Sequence, residues 1–232
     1  MQSNCTGRYR LSKAIRITGG SVAFAMTSPG NSIYLASRSS RRRELLTQIG
    51  VSFETLLLRE APPRGADIDE TPFSGEAPAG YVSRIACIKA ELSRRWLIER
   101  GGPLRPVLGA DTAVVFRGRI FGKPASPAHA GEMLAALSGQ THEVLTAIAV
   151  AAEKETRTRT STSIVRFRDI SEREILRYLA LDEAHDKAGG YAIQGVAAVF
   201  VTEIVGSYSG IMGLPLYETA RLLQDCGIDI FP

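Results

Sequence analysis

From Ile33 onward, short apolar runs and amphipathic stretches follow one another with turn residues between them, the pattern of a domain that mixes strands and helices. Ile33 to Ala36 reads as a strand, Ser37 to Ser40 as a capping run, and the stretch through Leu45, Leu46 and Ile49 as a helix that Gly50 stops. A strand from about Val51 to Leu58 and a polar loop, Arg59 to Gly75, follow. Pro78 opens a long helix: Tyr81, Ile85, Ile88, Leu92 and Trp96 recur at three- and four-residue intervals, and Gly101 and Gly102 end it. Its recurring face packs on the core, so Trp96 reads as core rather than as a platform for a base.

Val107 to Phe116, a turn at Arg117 and Gly118, and a return strand to Phe121 predict a hairpin. A helix over Ala128 to Leu137 comes next, then a second hairpin from about His142 to Ala152 and Thr158 to Phe167. Ser171 begins a helix with Glu174 in capping-box position. Asp182 to Gly195 is a long Gly-rich loop. The chain closes with a strand near Val199 to Val205, a Gly-Ser-Tyr-Ser-Gly loop from Gly206, and a helix from about Pro215 to Cys226. No repeat or interdomain linker stands out, so residues 31–232 read as one α/β domain with strands both in hairpins and in β-α units.

Composition changes this picture at its margins. The chain has 232 residues, 44% of them hydrophobic and 22% charged, enough for one sizeable core or two small ones. Charged residues break every hydrophobic run before the roughly 20 residues a spanning helix needs, which sets integral membrane functions aside. Lys and Arg number 28 against 24 Asp and Glu, a formal charge of +4 that suits anionic ligands without being diagnostic of nucleic acid. Cys5, Cys87 and Cys226 are odd in number and widely spaced, which argues against a disulfide scaffold or structural zinc. His129, His142 and His185 are scattered, and each reads as a surface or hydrogen-bonding histidine. Residues 1 to about 30 carry Arg8, Arg10, Lys13 and Arg16 and no acid, and read as a disordered leader. Such a start fits an organellar transit peptide; the plainer reading, which we favour, is an upstream extension with Met26 as the natural start.

Three clusters bear on chemistry. Ser37, Arg38, Ser39, Ser40, Arg41, Arg42 and Arg43 lie between a strand and a helix, where free backbone N–H groups, hydroxyls and guanidinium groups suit phosphate; an ordinary capped helix with a solvated basic first turn reads equally well. The second cluster is acidic. Asp67, Asp69 and Glu70 read by themselves as solvated loop residues, whereas Asp111 sits among strand residues, where burial is costly unless it binds metal, meets a cation or transfers a proton. Lys89, bordering the apolar face of the long helix, reads alone as a surface lysine able to reach into a cleft. Lys123, in Gly122-Lys123-Pro124, is fixed by its proline but is no Walker loop. The third cluster, Asp186 to Gly195, combines glycines with Tyr191 and Gln194; it suits close approach of a planar ligand or a plain turn.

Taken in order, Tyr34-Leu35-Ala36-Ser37-Arg38-Ser39-Ser40-Arg41-Arg42, Gly109-Ala110-Asp111-Thr112, Gly122-Lys123-Pro124, Leu137-Ser138-Gly139-Gln140-Thr141-His142, Asp186 to Gly195 and Gly213-Leu214-Pro215 closely resemble the Maf family of nucleoside triphosphate pyrophosphatases. The resemblance covers nearly all of residues 32–230, and the Asp186 to Gly195 loop resembles the branch acting on dTTP and UTP rather than that acting on 7-methyl-GTP. It implies a mixed, strongly curved sheet with flanking helices and a deep cleft between two lobes, as in the inosine triphosphatase group. It also implies a cytoplasmic enzyme, possession of a divalent cation (Mg²⁺ or Mn²⁺), and dimers, which are common in the family. Ser37, Arg41 and Arg42 would hold the triphosphate, Glu70 and Asp111 would serve metal binding and catalysis, and Lys89 and Lys123 would contact phosphates. Asp111 matches the proposed proton acceptor, and Arg41, Thr112 and Gln194 match positions linked to substrate choice. The chain departs from the family at Ser40, usually Pro, at Ala192, usually Gly, and in a longer loop between Leu58 and Ile68.

The reaction so implied is attack by water on the α-phosphorus, with Asp111 as base, metal ligand or both. A small pocket excludes a purine, and an amide such as Gln194 reads an imide edge. Three rivals remain at this stage: a pyrophosphatase for 7-methyl-GTP or another noncanonical nucleotide, a nucleotide-binding regulator of division, and a nucleic-acid binder. The last is disfavoured because no aromatics interleave the basic residues.

Overall fold

The computed structural model describes residues 31–57, 68–181 and 183–230. The expected leader, Asp67 and most of the loop before Ile68 lie outside them.

Seven strands form one mixed sheet in the order β2-β1-β3-β5-β6-β7, with β4 folded back on β3. β1 (Ser32–Leu35) runs parallel to β2 (Ser52–Thr55) and to β3 (Val107–Phe116). From β3 the sheet continues antiparallel through β5 (Thr141–Ala151), β6 (Thr156–Phe167) and β7 (Val201–Val205), and β4 (Arg119–Phe121) is the expected return strand. β3 and β5 are nearly continuous apolar runs because both their faces are covered. The sequence of β6 alternates instead, since from Ser161 to Phe167 only every second side chain is buried.

Helices cover the two faces unequally. α2 (Pro78–Glu99) lies on one face and buries Tyr81, Ile85 and Trp96 with Val107, Ala113, Val115, Ala147 and Ala149. The other layer holds α1 (Ser40–Gln48), α3 (Pro127–Leu137), α4 (Glu172–Leu179), α5 (Tyr208–Met212) and α6 (Leu216–Asp225), packed over Leu108, Ala110 and Val114. The capping box of α4 forms as expected, Ser171 with Glu174. Among the described residues no helix is long and apolar enough to cross a membrane.

Three boundaries differ from the expectation. β2 is shorter and ends at Thr55. The closing strand starts at Val201, because Val196–Phe200 forms a 3-10 turn whose first N–H donates to the Glu183 carboxylate at 3.0 Å and whose Phe200 is buried. The loop after Gly206 carries α5: the Ser207 hydroxyl accepts from Gly210 N at 2.9 Å, and Gly213, at φ 110°, ends the turn in the left-handed region.

One edge of β3 positions everything that follows. Pairing with β1 stops at Leu108 and pairing with β4 starts at Val114, so among the described residues no strand covers this edge from Gly109 to Ala113. Beside that notch α2 crosses very close to β3. A Cβ on Gly109 would lie 2.5 Å from the Ala86 carbonyl oxygen and 2.8 Å from Ala90 N, so only glycine lets the helix settle there. Gly109→Ala is accordingly expected to cost about 3 kcal/mol in urea denaturation. Gly80→Ala, on the same helix with open space around it, is expected to gain about 0.5 kcal/mol. Equal effects at the two positions would contradict this account of the packing.

Candidate active site

The strand alternation of β3 sends Asp111 toward α2 and Thr112 toward the opposite layer, so two consecutive residues serve the two sides of the notch. Asp111 is 7% exposed, and its Oδ1 accepts from Lys89 Nζ at 2.7 Å. The same ammonium lies 2.8 Å from Glu70 Oε1. Lys89 sits one helical turn beyond Ile85, and its stem carries the charge past the apolar face to the place where the strand edge opens. Burial raises the Asp111 carboxyl above its ordinary value, against the pull of Lys89 and Arg42. Burial would also raise Glu70, but Lys89, with Lys123 and Arg42 beyond it, holds its carboxyl below the ordinary value. The two acids around one cation thus differ in basicity because one is buried more deeply.

Arg42 ties three segments together. Its Nη1 donates to Ser37 Oγ at 3.1 Å, its Nη2 to Thr112 Oγ1 at 3.3 Å and its Nε to the Gly213 carbonyl at 2.8 Å. Burial lowers the pKa of this guanidinium, against the pull of Asp111. The proton positions around Thr112 follow from its neighbours. Thr146 Oγ1 spends its proton on the Gly210 carbonyl at 2.7 Å, so in the 2.9 Å contact between the two threonines Thr112 is the donor. Thr112 therefore meets anything in the cleft as an acceptor.

These groups open into one cleft of about 760 Å³. Ser37, Arg41, Arg42, Glu70, Lys89, Asp111, Thr112 and Lys123 all line it, so eight of the nine expected residues come together. Gln194 does not: it is exposed and outside the lining, because the backbone turns its neighbours Tyr191, Ala192 and Ile193 inward instead. Asp69 behaves as the plain turn residue, its Oδ1 accepting from Thr71 N at 2.9 Å. Lys89, a surface lysine when read alone, is the cation that joins Asp111 and Glu70. Trp96 is core, as expected. Sequence reasoning assigned no role to Lys187, which also lines the cleft; its only signal was membership of the Asp186 to Gly195 segment. Arg41 adds a guanidinium whose buried Nε has no hydrogen-bond partner among the described residues.

The donor set also fits a hard divalent cation. Mg²⁺ takes one or two carboxylates and completes its shell with water and substrate phosphate oxygens. Glu70 and Asp111 converge on one ammonium, and among the described residues no third His, Cys, Asp or Glu joins them.

A mixed α/β sheet split at one strand edge, with an acid pair and several fixed cations in the split, defines a protein that handles a polyanion in a cleft. The chain belongs to the Maf family: the family described as Maf-like protein matches residues 32–226. The dTTP/UTP pyrophosphatase of Nitrosospira multiformis is 64% identical over 206 residues, covering 89% of this chain and 100% of that one. The dTTP/UTP pyrophosphatase of Nitrosomonas europaea is 58% identical over 206 residues with the same coverage. Among solved structures, the Ham1 protein of Staphylococcus aureus matches with a TM-score of 0.42 and 17% identity over 60% of this chain and 72% of that one, a likeness too slight to carry an argument.

Arg42→Lys keeps the charge but cannot span Ser37, Thr112 and Gly213 at once. It is expected to lower unfolding free energy by about 1–3 kcal/mol, read from urea denaturation. Unchanged stability would mean that the three contacts do not tie the segments together.

Proposed function

We propose that this chain hydrolyses dTTP and UTP to the nucleoside monophosphate and pyrophosphate, the activity for which its relatives from Nitrosospira and Nitrosomonas are named. The observation that carries the reading is the Glu70–Lys89–Asp111 triad, set at 2.7 and 2.8 Å in the same cleft as Arg41, Arg42 and Lys123.

In this reading a water oxygen forms a bond to the α-phosphorus while the bond from that phosphorus to the bridging oxygen breaks, and the electron pair leaves with pyrophosphate. Asp111 orients the water and takes its proton. Lys89 keeps the two carboxylates together and presents positive charge to the phosphates. Arg41 and Lys123 neutralise the polyphosphate, and Ser37 with the first turn of α1 supplies neutral donors. Mg²⁺ or Mn²⁺, when held by Glu70 and Asp111, supplies further charge neutralisation and makes water easier to deprotonate.

Base selection falls to Thr112, which stands in the cleft. Thr112, restricted to accepting, suits the imide N–H that thymine and uracil share and that cytosine lacks. Gln194 stands outside the lining and is assigned no contact with the base. The substrate is a free nucleotide rather than nucleic acid, and a cytoplasmic location and a homodimer belong to the same proposal.

The test is pyrophosphate release from dTTP, UTP, CTP, GTP, 7-methyl-GTP and ITP with Mg²⁺ or Mn²⁺, with Asp111→Asn as the blank. Turnover of dTTP and UTP that falls by at least about a hundredfold in the blank, with nucleotide binding and melting temperature retained, is the expected result. Preference for 7-methyl-GTP would move the chain to the other branch. Binding without turnover of any nucleotide would overturn the enzymatic reading in favour of a regulator.

A further inference from the structure

We propose that Lys187 is a further catalytic residue of this cleft, its ammonium receiving, beside Lys123 and Arg41, the charge that gathers on the departing pyrophosphate. The inference rests on the hydrolysis proposed above.

The backbone holds Lys187 and Lys123 side by side. Lys187 precedes the 3-10 turn Ala188–Gly190, and Gly189 N donates to the carbonyl of Gly122, the residue before Lys123, at 3.0 Å. Gly190 N closes the turn on the Lys187 carbonyl at 3.1 Å. Gly189, at φ +70°, seats that turn against Val114; a Cβ there would lie 2.8 Å from Val114 Cγ2. The turn is thus fixed to β3 and to the segment after β4 by contacts that leave little play. The Lys187 side chain is 16% exposed and lines the cleft.

The charges around it are unbalanced. Arg41 and Lys123, from two other segments, act on Lys187 as like charges, and Glu183 acts as an opposite one. Asp186 pairs with Lys187 but is more than half exposed, and the Glu183 carboxylate is engaged by Val196 N at 3.0 Å. Three cations brought together with such partial compensation are costly unless an anion of several charges seats among them. Lys123 is also felt by Glu70, so its charge reaches both the carboxylate pair and Lys187. Asp111, Lys123 and Lys187 line the same cleft, so one polyphosphate can meet all three. Lys187 donates hydrogen bonds to the pyrophosphate oxygens and keeps its proton, so the electron pair of the broken bond is stabilised without a further transfer. Burial, with Arg41 and Lys123, pushes its pKa down to about 8, so its charge fades just above neutrality.

The experiment compares wild type, Lys187→Met and Lys187→Arg in turnover of dTTP and in inhibition by inorganic pyrophosphate and by dTMP. Lys187→Met is expected to lower kcat/KM about a hundredfold and to weaken inhibition by pyrophosphate about tenfold, with inhibition by dTMP unchanged. Lys187→Arg restores most of both. The fall of wild-type kcat/KM as pH rises through about 8 moves upward in Lys187→Arg, because guanidinium keeps its proton there. Weaker dTMP inhibition with pyrophosphate inhibition intact would place Lys187 on the nucleoside and overturn the proposal. So would a wild-type rate in Lys187→Met, or an equal loss of both inhibitors. If the wild type turns over no nucleotide, calorimetric binding of pyrophosphate with Mg²⁺ still decides: weaker binding by Lys187→Met upholds the site while the activity fails, and equal binding overturns it.

Discussion

One ammonium group, Lys89 Nζ, stands between two carboxylates, 2.7 Å from Asp111 and 2.8 Å from Glu70, and most of the molecule's arrangement can be traced to keeping it there. Without that charge, two acids facing one cleft would repel, and the buried one would hold its proton more firmly. Placing the ammonium requires α2 to lie almost on β3, which requires glycine at position 109 and small residues, Ala86 and Ala90, opposite it. It also requires the apolar stripe of α2 to be long enough to anchor the helix against β3 and β5, so that Lys89 is delivered by a rigid element. The acid in the segment before the helix then reaches the same cation.

The second constraint is the uncovered stretch of β3. A central strand normally has partners along both edges, because its backbone groups must be satisfied. Here β1 stops early and β4 starts late, and the gap exposes the part of the strand that carries Asp111 and Thr112. Successive residues of a strand point to opposite faces, so this short gap can offer a carboxylate to one side and a hydroxyl to the other. Arg42 closes the hydroxyl side by bridging the start of α1, Thr112 and the end of α5. The left-handed Gly213 exposes the carbonyl that this bridge needs.

Much of this was legible along the chain where a repeating pattern reported a burying surface. The stripe of α2, the two hairpins and the capping box of α4 were all visible, since each depends on residues near in sequence. The failures share a cause. α5 has five residues, too few to show a helical period, and is held by one serine cap and by burial of Ile211 and Met212. Val199 and Phe200 looked like the beginning of a strand because they are apolar, yet they belong to a turn whose first N–H donates to the carboxylate at position 183. Lys89 was placed on the border of a helix face, but what waits at that border is set by β3. The family resemblance named eight residues that line the cleft, and also Gln194, which is exposed and outside that lining.

The charge balance of the cleft also says why such a site needs a large body around it. Arg41 has a buried Nε with no hydrogen-bond partner among the described residues, and Lys187 faces two like charges. Each lowers the stability of the empty protein, because ions lose more hydration on burial than an incomplete set of partners returns. The two hydrophobic clusters on either face of the sheet offset that deficit, and they meet along β3, the strand that bears the acid. A polyanion entering the cleft would supply the missing partners without moving the frame, so its binding energy would appear as added stability of the folded chain. Rigidity of the frame is what turns that energy to use. Groups that are already placed and poorly compensated gain most from the charge that develops on a leaving phosphate, and they need no reorganisation at that moment.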